Sequence, residues 1–268
     1  MGQLEGQVAV VTGGGGGIAR GIATRFGREG AQVAIVDADK AAAEATATAV
    51  KAAGGRCGVW VANLLAAGEA ERVMSAIAAE HGGIDVLVNA GQAIPPVRAF
   101  AEKPIDDLQA TLNAGPVAAA RAMKAAYPHL KARGGGRVIN VGSFYGAMAT
   151  AGVADAVASD GALAAMTRAV GVEWAPDRIL VNYLQSGSAD IPEFHAWRQA
   201  HGQGVQHRIE NLAIPRLADP VEDIGGGAMF LASDEANFIV GHKVFADGGQ
   251  HLNASVFDAR AAVLSGQA

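Results

Sequence analysis

Short apolar runs alternate with helical periodicities along the whole chain. The apolar runs predict strands at residues 7–11, 32–36, 57–61, 84–88, 137–141, 179–183 and 240–245. Between them, apolar residues recur at spacings of three and four, as at Ile18, Ile22 and Phe26, which is typical of one buried helix face. This alternation predicts a single α/β domain over residues 1–268, in which helices cover both faces of a parallel sheet of about seven strands.

The first predicted strand leads into a run of glycines from Gly13 to Gly17, and a helix signal follows at Ile18. Glycine lets the backbone approach a bound pyrophosphate, and the first amides of the helix then point their N–H groups at the anion. The second strand ends at Asp37, about twenty residues further on, where a carboxylate accepts hydrogen bonds from the hydroxyls of an adenosine ribose. Because this acid also repels a 2′-phosphate, the pattern predicts a doubly wound, Rossmann-type site for NAD rather than NADP.

Two later strands end in small and polar residues. The fourth strand breaks at Asn89, Ala90 and Gly91, and the fifth leads to Ser143. The carboxyl ends of parallel strands meet at one edge of a sheet, where open α/β folds bind ligands. We therefore expect these residues beside the glycine turn.

Composition and charge mainly exclude other classes of protein. Half of the 268 residues are hydrophobic, and the net charge of −5 comes without long basic runs, so we expect no nucleic-acid partner. A single cysteine, Cys57, excludes an intramolecular disulfide. No signal peptide and no apolar run of membrane-spanning length is found, so a cytoplasmic protein without a membrane segment is expected.

In order along the chain, these motifs resemble the short-chain dehydrogenase/reductase superfamily over nearly its whole length. The matching positions are residues 12–19, Asp37, residues 89–91, Asn113, Ser143, residues 220–223, residues 231–236 and residues 247–249. The resemblance implies a seven-stranded sheet, NAD across its carboxyl edge, a small-molecule alcohol or carbonyl substrate, and a homotetramer or homodimer. It assigns cofactor contacts to Gly13, Gly15, Gly17, Ile18, Asp37, Asn63, Leu64, Asn89, Ala90, Gly91 and Gly187.

The chain departs from this family at two positions that carry its chemistry. Members generally use a serine, a tyrosine about thirteen residues later that transfers the proton, and a lysine four residues beyond. Counted from Ser143, these positions fall on Ala156 and Asp160. Ser143 and Asn113 keep their family positions, and Tyr145 is the nearest substitute acid, so these three are the candidate catalytic residues.

Asp160 is also a candidate cofactor residue. A carboxylate beneath the nicotinamide ribose would accept hydrogens from its hydroxyls and favour the positively charged ring of NAD⁺ over neutral NADH. The alternative is a solvated acid in the opening turns of a helix.

Residues 185–213 are polar, irregular and rich in His and Gln, which is typical of a substrate lid within the domain. His195, His201 and His207 are six residues apart, about 240° around a helix, so they share no helical face. With Glu193 they could still converge in a folded loop, but metal-ligand spacing normally includes tighter pairs, so we predict no metal site.

Three functions stay open. The first is an NAD(H)-binding oxidoreductase with non-standard proton-transfer residues. The second is a non-redox enzyme on the same fold, such as a lyase, isomerase or cyclase. The third is a catalytically silent subunit that pairs with an active relative in a hetero-oligomer.

Overall fold

Seven parallel strands form the centre of the computed structural model, which describes residues 2–91, 96–146, 151–201, 209 and 212–252. The strands are β1 (Val8–Thr12), β2 (Gln32–Asp37), β3 (Arg56–Val61), β4 (Val86–Asn89), β5 (Gly136–Gly142), β6 (Ile179–Ser186) and β7 (Lys243–Ala246). Their spatial order is β3-β2-β1-β4-β5-β6-β7, and every neighbouring pair is parallel. The chain reverses its direction of travel at β1 and β4, where doubly wound sheets bind ligands. The predicted fold is confirmed.

Helices cover the sheet on both faces. They are α1 (Gly17–Arg28), α2 (Lys40–Ala52), α3 (Glu69–His81), α4 (Ile105–Leu112), α5 (Ala118–Ala132), α6 (Ala154–Trp174), α7 (Pro192–His201) and α8 (Gly225–Ala232). Helices α1, α2 and α8 pack on one face, and α3, α5 and α6 on the other. None of the helices in the described part of the chain has the length and apolar content that a membrane span requires.

Strand β1 shows why its sequence reads as a continuous apolar run. All five of its residues are buried. Val8 and Val10 belong to the core beneath α3 and α5, whereas Ala9 and Val11 belong to the core beneath α1. Successive side chains of a strand point to opposite faces, so a strand covered on both sides is apolar at nearly every position.

A π-helical turn, Asn113–Val117, separates α4 from α5. Pro116 lies inside it, and proline has no N–H to continue the α-helical pattern. The chain widens here, and the carbonyl of Asn113 accepts the N–H of Ala118. Such single π turns are frequent at functional sites.

The segment predicted as an irregular lid, residues 185–213, is partly regular. Gln185 and Ser186 extend β6, and helix α7 follows a few residues later, so the prediction of irregular structure is wrong there. Residues 202–208, 210 and 211 lie outside the described residues. The proposed lid role of the segment stays a prediction.

A buried ion pair ties the start of α6 to the segment before α4. Lys103 Nζ donates to Asp155 Oδ2 at 2.8 Å and to the carbonyl of Pro96 at 3.0 Å. The two charged side chains are only 2% and 0% exposed. The second carboxylate oxygen accepts the N–H of Ala156 at 3.0 Å. Each buried charge therefore depends on the other for compensation.

Lys103→Met is expected to lower the free energy of unfolding by about 3–5 kcal/mol, because it leaves the Asp155 carboxylate buried without a cation. Urea denaturation at pH 7 measures this loss. The double variant Lys103→Met/Asp155→Leu should recover most of it, since neither charge is then buried. Lys131→Met is the control, because Lys131 pairs with Asp177 at 2.9 Å on the surface. A loss no larger than that of the control would contradict the role assigned to the pair.

Candidate functional site

The glycine turn between β1 and α1 lies at the carboxyl edge of the sheet, between two cavities. The β2-side cavity, of about 320 Å³, is lined by residues that include Gly13, Asp37, Asn63, Leu64, Asn89 and Gly91. The β5-side cavity, of about 360 Å³, is lined by residues that include Gly17, Ile18, Ala90, Ser143, Tyr145 and Gly187. The structure thus brings most of the sequence-predicted site residues together along one edge. Gly15, Asn113 and Asp160 are not among the residues that line either cavity.

The turn after β1 touches the turn after β4 through backbone alone. Gly13 has a φ of +63°, which side-chain-bearing residues rarely adopt. A Cβ at this position would overlap the backbone of Gly91. Only glycine permits both the dihedral angle and the contact.

Asp37 is fixed at the wall of the β2-side cavity by backbone donors. Its Oδ2 accepts the N–H of Gly15 at 2.9 Å, and its Oδ1 accepts the N–H of Asp39 at 2.8 Å. A carboxylate has about four acceptor positions, so two backbone bonds leave others available to a ligand. Gly15 therefore acts by holding Asp37 in place.

Asn89 belongs to a buried chain of side-chain hydrogen bonds. It accepts from Thr12 Oγ1 at 3.1 Å and donates to Asn140 Oδ1 at 2.8 Å. Asn140 in turn donates to Thr167 Oγ1 at 2.9 Å. These residues belong to β1, β4, β5 and α6, so the chain holds α6 against the site edge of the sheet.

Ser143 follows β5 and meets the carboxylate of Asp160 from α6. Its Oγ donates to Asp160 Oδ2 at 2.9 Å, and its backbone N–H lies 3.3 Å from both carboxylate oxygens. Tyr183 on β6 donates its hydroxyl to Asp160 Oδ1 at 3.1 Å. Asp160 is only 1% exposed, so the alternative of a solvated acid is wrong. The carboxylate is turned toward Ser143 and Tyr183, and its contact with a cofactor ribose stays a prediction.

Tyr145 lies in a 3-10 turn after Ser143 and lines the β5-side cavity. Its ring lies tilted by 33° against the ring of Phe144, with 4.1 Å between ring centroids, and it packs in a cluster with Val153 and Ala156. Burial raises the pKa of Tyr145 to about 12. At neutral pH the phenol therefore keeps its proton and acts as a hydrogen-bond donor rather than a base.

Lys243 on β7 is a cation beside Asp160 that the motif pattern does not point to. Its Nζ lies 4.9 Å from the ring centroid of Tyr183 and donates to Gln185 Oε1 at 3.1 Å. Gln185 Nε2 donates to the carbonyl of Ser143. Burial lowers the pKa of Lys243, and the charge of Asp160 opposes this effect. The register that pairs Tyr183 with Lys243 brings the two groups together across sixty residues of chain.

A carboxylate from α7 occupies the N-terminus of α1. Glu193 Oε1 accepts the N–H of Gly17 at 3.1 Å, and a Cβ at Gly17 would meet both Ile191 and Glu193. Gly16, the N-cap residue of α1, has no side chain that could cap the helix. A negative charge is favourable at this end of a helix. Sequence reasoning did not assign Glu193 to the site, because its contact with α1 spans 176 residues.

The histidines of the predicted lid do not gather into a cluster in the part that the structure describes. His195 Nε2 lies 2.6 Å from Asp190 Oδ1 on the surface. The side chain of His201 and all of His207 lie outside the described residues. Among the described residues, no three His, Cys, Asp or Glu side chains are placed to hold a metal ion.

Comparisons with known proteins agree on the family. A family model described as enoyl-(acyl carrier protein) reductase matches residues 13–251. The chain is 31% identical to 2,5-dichloro-2,5-cyclohexadiene-1,4-diol dehydrogenase LinX of Sphingobium indicum, over 92% of this chain and 97% of that protein. It is 30% identical to L-fucose dehydrogenase of Rattus norvegicus, over 94% and 92% of the two chains.

A solved structure extends the likeness to three dimensions. The crystal structure is of a protein from Burkholderia xenovorans described as a short-chain dehydrogenase/reductase. It matches with a TM-score of 0.89 at 30% identity, over 95% of this chain and 100% of that one. The chain belongs to the short-chain dehydrogenase/reductase family. Its relatives are oxidoreductases by name, and its fold is theirs.

Gly13→Ala is expected to destabilise the protein more than an alanine at another left-handed glycine. Gly54 has a φ of +85° and open space around its Cα, so Gly54→Ala should cost only the strain of the dihedral angle, about 1–2 kcal/mol. Gly13→Ala adds the overlap with Gly91, about 1–3 kcal/mol more. Thermal and urea denaturation of both variants measure the difference. Equal losses would show that the contact between the two turns is loose.

Proposed function

We propose that the protein is an NAD-dependent oxidoreductase that interconverts a small or medium-sized alcohol and its carbonyl compound. The observation that carries this proposal is the placement of Asp37, which the N–H of Gly15 holds at the wall of a cavity beside the glycine turn. Membership of a family of dehydrogenases supports the hydride chemistry.

The residues along the edge fit a dinucleotide. In the β2-side cavity, Asp37 would accept hydrogen bonds from the adenosine ribose, and Leu64 offers apolar surface to the adenine. The N–H of Gly17 at the start of α1 would face the pyrophosphate. The charge of Asp37 disfavours a 2′-phosphate, which supports NAD over NADP. When bound, NAD supplies the acceptor or donor of a hydride.

Ser143 and Tyr145 are two of the hydroxyl-bearing residues that line the β5-side cavity, and they would hold the substrate oxygen. Tyr145, with its pKa raised to about 12, would donate a hydrogen bond to a carbonyl oxygen. The Ser143 Oγ already donates to Asp160, so its lone pairs are the groups that would accept from a substrate hydroxyl. In the family that the chain resembles, a tyrosine and a lysine generally stand at the positions of Ala156 and Asp160 and handle the proton. Here Ser143 and Tyr145 would take over that role.

The packing around Ala156 supports a second candidate. Ala156 is 6% exposed and packs against Tyr145 and Val153, so position 156 supplies no phenol group as a proton donor. A subunit that binds NAD without transferring hydride, in a homo-oligomer or beside an active relative, is consistent with that packing. Formation of NADH from an alcohol by the pure homo-oligomer would exclude this candidate.

Calorimetric titration with NAD⁺ and NADP⁺ tests the cofactor proposal. The protein is expected to bind NAD⁺ at least about tenfold more tightly, the ratio for a difference of about 1.4 kcal/mol. Asp37→Ala should weaken NAD⁺ binding, because the contacts with the adenosine ribose are lost. It should also reduce the difference in affinity between NAD⁺ and NADP⁺, because the repulsion of the 2′-phosphate is lost. Asp106→Ala removes an exposed acid on α4 and is the matched control. Equal binding of both nucleotides, or of neither, would contradict the proposal.

Glu193→Gln is expected to raise the affinity for NAD⁺ by about two- to fivefold, the ratio for 0.3–1 kcal/mol at a helix terminus. The reason is that the pyrophosphate must displace the carboxylate from the N–H of Gly17. Calorimetry with ADP should show the same gain, whereas adenosine, which lacks the pyrophosphate, should bind unchanged. Glu235→Gln, an exposed acid elsewhere, is the control. A gain for adenosine as large as that for ADP would rule out direct competition.

A further inference from the structure

The carboxylate of Asp160 is a buried charge surrounded by hydroxyl and backbone donors. It receives the Oγ–H and N–H of Ser143 and the hydroxyl of Tyr183, while only 1% of the residue is exposed. A buried carboxylate stays charged only where such donors stabilise it. An acid with this set of partners is placed to take up a proton from one of them.

The two hydroxyl donors differ in what they can give up. Burial, the charge of Asp160 and the hydrogen bond to it raise the pKa of Tyr183 far above its ordinary value, so Tyr183 keeps its proton. Ser143 lines the β5-side cavity and its Oγ donates to Asp160, so this residue lies between the cavity and the carboxylate. Of the two hydroxyl donors to Asp160 in the described part of the chain, Ser143 is the one that lines this cavity.

Other titratable and charged groups face Asp160 from the elements packed around it. Lys243 of β7 lies over the Tyr183 ring. Burial has the largest effect on the pKa of Lys243 and lowers it, the charge of Asp160 raises it, and the charge of Arg168 on α6 lowers it. Tyr145, on the turn that packs against α6, is neutral at pH 7. Asp160 is therefore the acid of this cluster, and Lys243 is its nearest cation on the neighbouring strands that the structure describes.

We infer that Asp160 is the proton acceptor of the site and acts through Ser143, whose hydroxyl passes a proton from the β5-side cavity to the carboxylate. The relay to Asp160 deepens the proposed function. It rests on that function, because the function identifies the alcohol as the proton donor. The transfer from Ser143 to Asp160 itself is independent of any cofactor.

Alcohol oxidation through this relay moves one proton and one hydride. The alcohol O–H bond breaks, and its proton goes to Ser143 Oγ while the Ser143 proton goes to Asp160 Oδ2. The electron pair of the O–H bond forms the second bond between the oxygen and the alcohol carbon. The C–H bond of that carbon breaks, and the hydrogen leaves with the bonding pair as hydride to NAD⁺, which is the co-reactant of the proposed reaction. The alcohol is oxidised, NAD⁺ is reduced, and one proton per turnover is finally released to solvent.

A serine-directed reagent tests the transfer without a substrate. With phenylmethanesulfonyl fluoride, Ser143 Oγ would form an S–O bond, fluoride would leave, and the hydroxyl proton would go to Asp160. Intact-mass measurement over time is expected to show labelling of the full chain, abolished at this site in Ser143→Ala and slowed at least about tenfold in Asp160→Asn. Ser188→Ala removes another hydroxyl of the same cavity and should label at the normal rate.

The pH profile separates a proton acceptor from a structural group. The labelling rate of the normal protein should fall as the pH is lowered, as expected when a base accepts the serine proton. Asp160→Asn should show no such fall over the same range. Tyr183→Phe removes one hydrogen bond to the carboxylate, so its profile should differ from that of the normal protein. This second variant keeps the test valid if Asp160→Asn does not fold.

An unlabelled Ser143 in the normal protein, or the same rate and pH profile in Asp160→Asn, would overturn the inference. Oxidation of cyclohexanol, cyclohex-2-en-1-ol and 2-butanol with NAD⁺ then tests the proposed function separately. A loss of about a hundredfold in kcat for Asp160→Asn, measured at saturating NAD⁺, supports both. Labelling that depends on Asp160 without NADH formation from any alcohol would support the proton acceptor and overturn the relay from an alcohol.

Discussion

Parallel pairing of the strands is the constraint on which the site depends. Since all seven strands run in one direction, their carboxyl ends meet at one edge, and residues from Thr12 to Asp247 converge there. Gly13 and Gly91 bring two backbones into direct contact there, and a cavity lies on each side of the glycine turn. The proposed nucleotide and substrate would occupy these two cavities side by side.

Helix α6 carries two buried carboxylates, and the protein compensates them in different ways. Asp155 is paired with a buried lysine, which is a fixed ion pair that holds the start of the helix. Asp160 accepts the N–H and hydroxyl of Ser143 and the hydroxyl of Tyr183. A hydroxyl donor can exchange its proton with a carboxylate, and Ser143 also lines the β5-side cavity. The proposed proton transfer depends on this second arrangement.

Some residues of the site could be predicted from the sequence, and others could not. Gly13 and Asp37 could be placed because a strand, a turn, a helix and an acid follow each other locally, each with its own residue signal. Tyr183, Lys243 and Glu193 could not, since each reaches the site through pairing or packing with segments far away in the chain. Asp160 could be placed in the opening turns of a helix, but its contacts with Ser143 and Tyr183 could not be predicted, because a position on a helix does not determine the direction of a carboxylate.

The sequence by itself determined the order of strands and helices, the glycine turn and the acid after β2, since these follow from short-range periodicity and local backbone chemistry. Only the tertiary structure decided that a glutamate from α7 lies on the N-terminus of α1, and that Asp160 is buried against Ser143 and Tyr183. The physical reason is burial. The partners of a charge withdrawn from water are whichever donors and cations the packing of distant elements places around it.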